Sequence, residues 1–148
     1  MKHLNRFWTL PLLAAVFLIG CATVPDSIPE TLSPIEYFQK AQEAAAKQNY
    51  EAALLYYNTF IERNPQDAQR IVEAEFEIAF IYYKEKNYPV SLEQFRAILA
   101  KYSQPGAELL PAWPRILSDK LIVIIGEKQT PEKEKAGKDS GPEPAPAG

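Results

Sequence analysis

The strongest constraint on the fold is an internal repeat of residue size. Lys47-Gln48-Asn49-Tyr50 returns as Glu85-Lys86-Asn87-Tyr88, an offset of 38 residues. The same offset carries Ala41 onto Ala79, Ala53 onto Ser91, Tyr57 onto Phe95 and Phe60 onto Ile98. Small positions answer small ones and large positions answer large ones, the pattern of one supersecondary unit used twice. Two antiparallel helices approach closely only where one presents a small side chain. A large residue one turn further on then fills the space beside it. The pattern predicts helices over 34–47 and 51–63, stopped by Asn64-Pro65, and over 69–86 and 89–102. Asn87 is placed to cap the last of these, and Pro89 suits its first turn, where no N–H is needed.

With these positions in hand, the chain resembles the tetratricopeptide repeat (TPR) family, whose pattern runs from a large residue through a small pair and a Tyr to Ala, an aromatic and Pro. The first copy supplies Tyr37, Lys40-Ala41, Ala44, Ala53, Tyr57 and Pro65. The second supplies Glu75, Ile78-Ala79, Tyr82, Ser91 and Phe95. It departs at Glu75, where a large apolar residue is usual, and at Ser103, where Pro is usual. The spacing also exceeds the usual ~34 residues, which places an insertion near 66–70. The resemblance implies an all-α fold, a short TPR-like α-solenoid of two helix-turn-helix repeats plus a C-terminal capping helix. Residues 114–126 (PRILSDKLIVIIG) supply that fifth helix. Ile116, Leu117, Leu121 and Ile124 are expected to cap the stack, with Ile122, Val123 and Ile125 on its other sides. A helix apolar nearly all round requires burial on more than one face, which points to a partner or a homo-oligomer.

The N-terminus carries a second message. Lys2 and Arg6 precede an uncharged apolar run from Phe7 to Gly20, and Cys21 follows at once. This is the form of a secretory signal peptide, too short for a comfortable transmembrane helix of about 20 residues. Leu18-Ile19-Gly20-Cys21 resembles the lipobox of bacterial lipoproteins. That resemblance implies cleavage after Gly20 and lipid attachment at Cys21, with Ala22 in the following position pointing to the outer membrane. The chain then divides into a signal peptide (1–20), a lipidated Cys and flexible tether (21–33), a helical domain (34–126) and a tail (127–148). The tether, with Pro25 and Pro29, reads as extended, and residues 22–33 reach some 40 Å at about 3.3 Å each. The tail has no bulky apolar residue and is expected to be disordered.

Composition narrows the chemistry. The 148-residue chain has one histidine and one cysteine. His3 lies in the signal peptide and Cys21 at the lipid site, so after cleavage neither a catalytic imidazole nor a free thiol remains. Triad catalysis, His- or Cys-based zinc sites and internal disulfides are excluded on this reading. Beyond residue 20 the chain holds 14 basic and 19 acidic side chains, a balance unlike that of a nucleic-acid binder. Glu73 and Glu77, one turn apart, are the nearest approach to paired carboxylates, and such pairs are common on solvated faces. No catalytic residue, metal site or cofactor is expected.

The first helix of each TPR pair lines a concave surface on which extended peptides bind. Phe76, Phe80 and Tyr83 fall on one side of their helix, with Phe38 and Gln42 on the corresponding face of the first copy. These five are the candidate peptide groove, unless the fifth helix or the tether covers the rings. The resulting expectation is a membrane-anchored, non-catalytic scaffold of the bacterial envelope, facing the periplasm. It resembles the class of TPR lipoproteins that includes the outer-membrane assembly lipoprotein and the pilotins, with another envelope protein or peptide segment as partner. The alternative is a carrier of a small apolar ligand in an aromatic-lined pocket.

Overall fold

A computed structural model describes residues 23–139, with side chains as far as Gln129; the signal peptide, Cys21 and residues 140–148 lie outside the described residues. The fold is all-α: α1 (Pro34–Ala46), α2 (Tyr50–Arg63), α3 (Ala68–Lys84), α4 (Tyr88–Lys101), a 3-10 turn (Ala107–Leu109) and α5 (Ala112–Asp139). Each helix packs on the one before it, and α3 also touches α5. The result is a short helical-repeat solenoid of two helix-turn-helix units closed by α5.

Local chemistry explains the helix ends. Ser33 and Glu36 form a reciprocal capping box at α1. Asn49 accepts from the Ala52 N–H at 3.3 Å and Asp67 from the Arg70 N–H at 3.1 Å. Asn87 makes no such bond, contrary to expectation, because Pro89 removes one of the two N–H groups that a cap side chain reaches. Both interhelical turns pass through a left-handed residue, Gln48 at φ 59° and Lys86 at φ 61°. Each is closed by the same long bond, Asn49 N to Ala44 O and Asn87 N to Tyr82 O, both 2.9 Å. The offset of 38 thus holds in backbone geometry as well as in side-chain size.

The small residues sit where the helices cross. Ala41, Ala53, Ala79 and Ser91 are wholly buried, and the Ser91 hydroxyl donates to the Ala79 carbonyl at 2.9 Å. Two apolar clusters result, one around Tyr37, Tyr57 and Phe60 and the other around Phe76, Phe95 and Ile125.

Three expectations need correction. The segment read as a free tether is a docked strap. Ile28 is buried in the first cluster and Leu32 packs against it. The Arg63 guanidinium donates to the carbonyls of Ile28 and Pro29 and to the Tyr37 hydroxyl (3.0 Å to Pro29, 2.8 Å to Tyr37), and Asn49 Nδ2 donates to the Thr23 carbonyl at 3.1 Å. Prolines make the strap extended, which leaves its carbonyls free to accept. Second, the fifth helix starts at Ala112 and continues to Asp139, so residues 127–139 are helical. Glu, Lys, Gln and Ala in this stretch are good helix formers, and extending an existing helix avoids the nucleation cost.

Third, α5 turns a different face inward. Pro114, Ser118 and Ile125 are buried and Leu121 and Ile122 half-buried, whereas Ile116, Leu117, Val123 and Ile124 are exposed. Ser118 is the small residue of the fifth helix, as Ala41 and Ala79 are of α1 and α3. A Leu or Ile at that point would hold the helices apart.

Candidate functional site

The five groove residues do not form one open groove. Phe38 belongs to the first cluster, its ring edge-on to Tyr57 and Phe60 at 5.4 and 5.1 Å. Gln42, one turn further along α1, is exposed. Phe76 is 5% exposed, held against Phe95 and beneath the edge-on ring of Trp113 at 5.0 Å. Phe80 and Tyr83 stack in series beside it at 6.1 and 5.7 Å and remain half-buried. Lys84 lies over the Phe80 ring and Lys128 of α5 over the Tyr83 ring, at 5.0 and 5.1 Å. Of the two arrangements left open by the sequence, the structure has α5 over Phe76. The rings act as cement between α3, α4 and α5, and the peptide groove expected at Phe38, Gln42, Phe76, Phe80 and Tyr83 is not assembled.

The acidic residues of α3 are each engaged differently. Glu73 accepts from Trp113 Nε1 at 3.2 Å, which fixes the start of α5. Glu75 pairs with Lys101, and its second oxygen is buried without a hydrogen bond. Burial pushes the Glu77 carboxyl above its ordinary range and the negative charge of Glu73 adds to this, while Lys84 pulls it back. The Tyr57 hydroxyl is buried without a hydrogen bond, and burial together with Glu77 raises its pKa. Glu73 is thus engaged by Trp113, while Glu77 is half-buried on the same helix and within reach of its charge. No group of three His, Cys, Asp or Glu suited to a metal ion occurs among the described residues, and no helix there is long and apolar enough to cross a membrane.

Two features were not foreseen as sites. One is the outer stripe of α5, where Val123 is 60% and Ile116 47% exposed, with Leu117 and Ile124 beside them. Lys120 and Glu127 lie on the same stripe, at the three- and four-residue steps that keep a row on one helix face. The apolar residues of this helix were noticed in the sequence. The signal that would have set their facing was Ser118, the only small residue between Pro114 and Ile125. The other is a cleft of about 670 Å³ between the α2–α3 turn and the α4–α5 loop, walled by Pro65, Ile71, Lys101, Pro105 and Leu110. It depends on long-range packing of two loops and has no signature in sequence.

No protein-family profile matches the chain, and no solved structure matches it. The chain is 34% identical over 102 residues to an uncharacterized protein of Treponema pallidum (strain Nichols). The match takes in 68% of this chain and 41% of the relative, so it spans about two-fifths of that protein's length.

Proposed function

We propose that this protein is a lipid-anchored, non-catalytic interaction module of the bacterial envelope, of the TPR lipoprotein class, and that it binds an amphipathic helix of a partner protein along the outer face of α5. The lipobox at Leu18–Cys21 supports the anchor. On this reading the module sits on the outer membrane and faces the periplasm.

The observation that carries the docking site is the unpartnered stripe of Ile116, Leu117, Val123 and Ile124. Every earlier helix in the stack has a following helix packed on it, and α5 has none among the described residues. The stripe is one helix wide, and its apolar positions recur at spacings of seven (116 and 123, 117 and 124), the period of a helix–helix seam. Lys120 and Glu127 on the same face provide charges of both signs to set the register of an incoming helix.

A photocrosslinking residue in place of Val123 tests this in native membranes, with Arg115 on another side of the helix as control. The expected adducts join position 123 to a helix of a different protein that carries apolar residues at three- and four-residue spacing, and Ile124→Asp abolishes them. Adducts joining position 123 to α5 of a second copy would replace the hetero-partner with a homo-oligomer. Equal labelling from positions 115 and 123 would overturn the site. The second reading is a carrier of a small apolar ligand, held in the cleft near Ile71 and Leu110, whose apolar walls are aliphatic and proline side chains in place of the aromatic lining expected. That reading requires a co-purifying ligand lost on Ile71→Asp, with the position 123 adducts absent.

A further inference from the structure

The offset of 38 runs through the connections as well as the helices. It carries strap residues 27–33 onto the α2–α3 turn at 65–71, and that turn onto the α4–α5 loop at 103–109. In the first repeat the space between the strap and the end of α2 is closed. Ile28 buries an aliphatic side chain there, and Arg63 bridges to the carbonyls of Ile28 and Pro29. In the second repeat the same two positions are Gln66 and Lys101. Gln66 is exposed, Lys101 pairs with Glu75, and both line the cleft of about 670 Å³. The connection is also longer, with ten residues (102–111) between α4 and α5 against four (64–67) between α2 and α3. The cleft is therefore the second repeat's counterpart of the seat that Ile28 and Arg63 fill in the first.

Its walls are held by the chain itself. Gln69 Nε2 donates to the Leu109 carbonyl at 2.7 Å, and the Tyr102 hydroxyl donates to the Pro111 carbonyl at 2.6 Å. The volume falls in the ~300–1,000 Å³ range of ligand pockets. Ile71 and Leu110 supply apolar surface, with Leu109 67% exposed beside them. Gln66 and Gln104, which the offset also pairs, stand on the two walls. Neither side chain is engaged in a hydrogen bond among the described residues. A glutamine amide offers a donor and an acceptor together, the complement of a backbone amide.

Extending the interaction-module reading to a second site, we infer that the cleft binds an extended segment of a partner protein, which sets a branched aliphatic side chain against Ile71 and Leu110 and its backbone amides against Gln66 and Gln104. The strap is the molecule's own example of such a ligand. It is an extended run between prolines whose Ile28 is buried and whose carbonyls are held by side-chain donors. The two glutamines favour a peptide over a hydrocarbon, because an apolar ligand would desolvate their amides without pairing them.

The probe is a synthetic peptide copying residues 23–33, dye-labelled, with a photoreactive residue in place of Ile28 in a second version. It is titrated against the full chain purified from membranes, and the adducts are mapped by mass spectrometry. Saturable binding with adducts at Ile71, Leu109 or Leu110 is expected. Gln66→Ala and Gln104→Ala should each weaken it by several-fold to about tenfold, the loss of one neutral amide pair. Leu109→Asp, at an exposed position, should abolish it, as should Ile28→Gln in the peptide. Ile124→Asp on α5 should leave it unchanged. Adducts at Tyr37 or Phe60, the strap's own seat, overturn the site, and so does the lack of saturable binding. Peptide binding without the position 123 adducts overturns the α5 docking site alone; those adducts without peptide binding overturn the cleft alone.

Discussion

Tyr37 and Arg63 form a part-buried hydroxyl–guanidinium contact in the first repeat, and the offset of 38 carries these two residues onto Glu75 and Lys101, which form an ion pair. The departure from the repeat pattern at Glu75 is thus matched by a change at its contact, and the interaction survives with different chemistry. Glu77 has no such match. Its carboxyl is half-buried, and desolvation favours the protonated form in the folded state. The folded protein therefore binds more protons than the unfolded chain between the ordinary carboxyl range and the raised folded value. This contribution to stability is full below the unfolded pKa and is lost as pH rises through the folded one. Glu77→Gln is expected to raise the melting temperature at pH 7 by on the order of 2 °C and to leave it unchanged at pH 4. Thermal unfolding followed by circular dichroism at both values checks this; an equal shift at the two pH values would show that the charge of Glu77 is not the cause.

At the scale of elements, the helices are held by close approach at small residues. Ala79 is wholly buried against α4, its carbonyl bonded to Ser91. Ala79→Leu inserts three carbons at a wholly buried helix crossing and is expected to cost roughly 1–3 kcal/mol, whereas Ala46→Leu, at an exposed helix end, should cost almost nothing. Urea unfolding of the two variants separates crowding from helix propensity. These contacts were legible in the sequence because a repeat reports size position by position, and Ala41 with Ala79 and Ala53 with Ser91 read the same way twice. The facing of α5 was not legible, because the helix has no second copy for comparison and apolar residues on every side. The strap was not legible either. Its hold depends on Arg63 and Asn49, which are 34 or 35 and 26 residues away from their carbonyl partners and look in sequence like an ordinary helix end and a turn. The aromatic groove failed for a related reason: the spacing of Phe76, Phe80 and Tyr83 showed that they share a face, and only the start of α5 at Trp113 decided what covers that face.

At the scale of the molecule, the strap joins the N-terminal end of the described chain to both ends of the first hairpin, and Arg63 is the point at which it can be released with least damage elsewhere. Arg63 as a residue is exposed, yet its guanidinium bonds two strap carbonyls and Tyr37 at once. Glutamine is shorter and cannot present the same fork. Arg63→Gln should cost about 1–2 kcal/mol, the loss of a few partly solvated hydrogen bonds, with a fall of the melting temperature on the order of 4–8 °C. Its signature lies in where the chain opens. Hydrogen exchange is expected to accelerate over residues 23–32 and to stay slow at Ala79 and Phe95, because the second cluster does not touch the strap. Exchange that rises equally in both regions would mean that Arg63 supports the whole stack. The strap would then be one more layer of the solenoid, closing the first hairpin from outside as α5 closes the second.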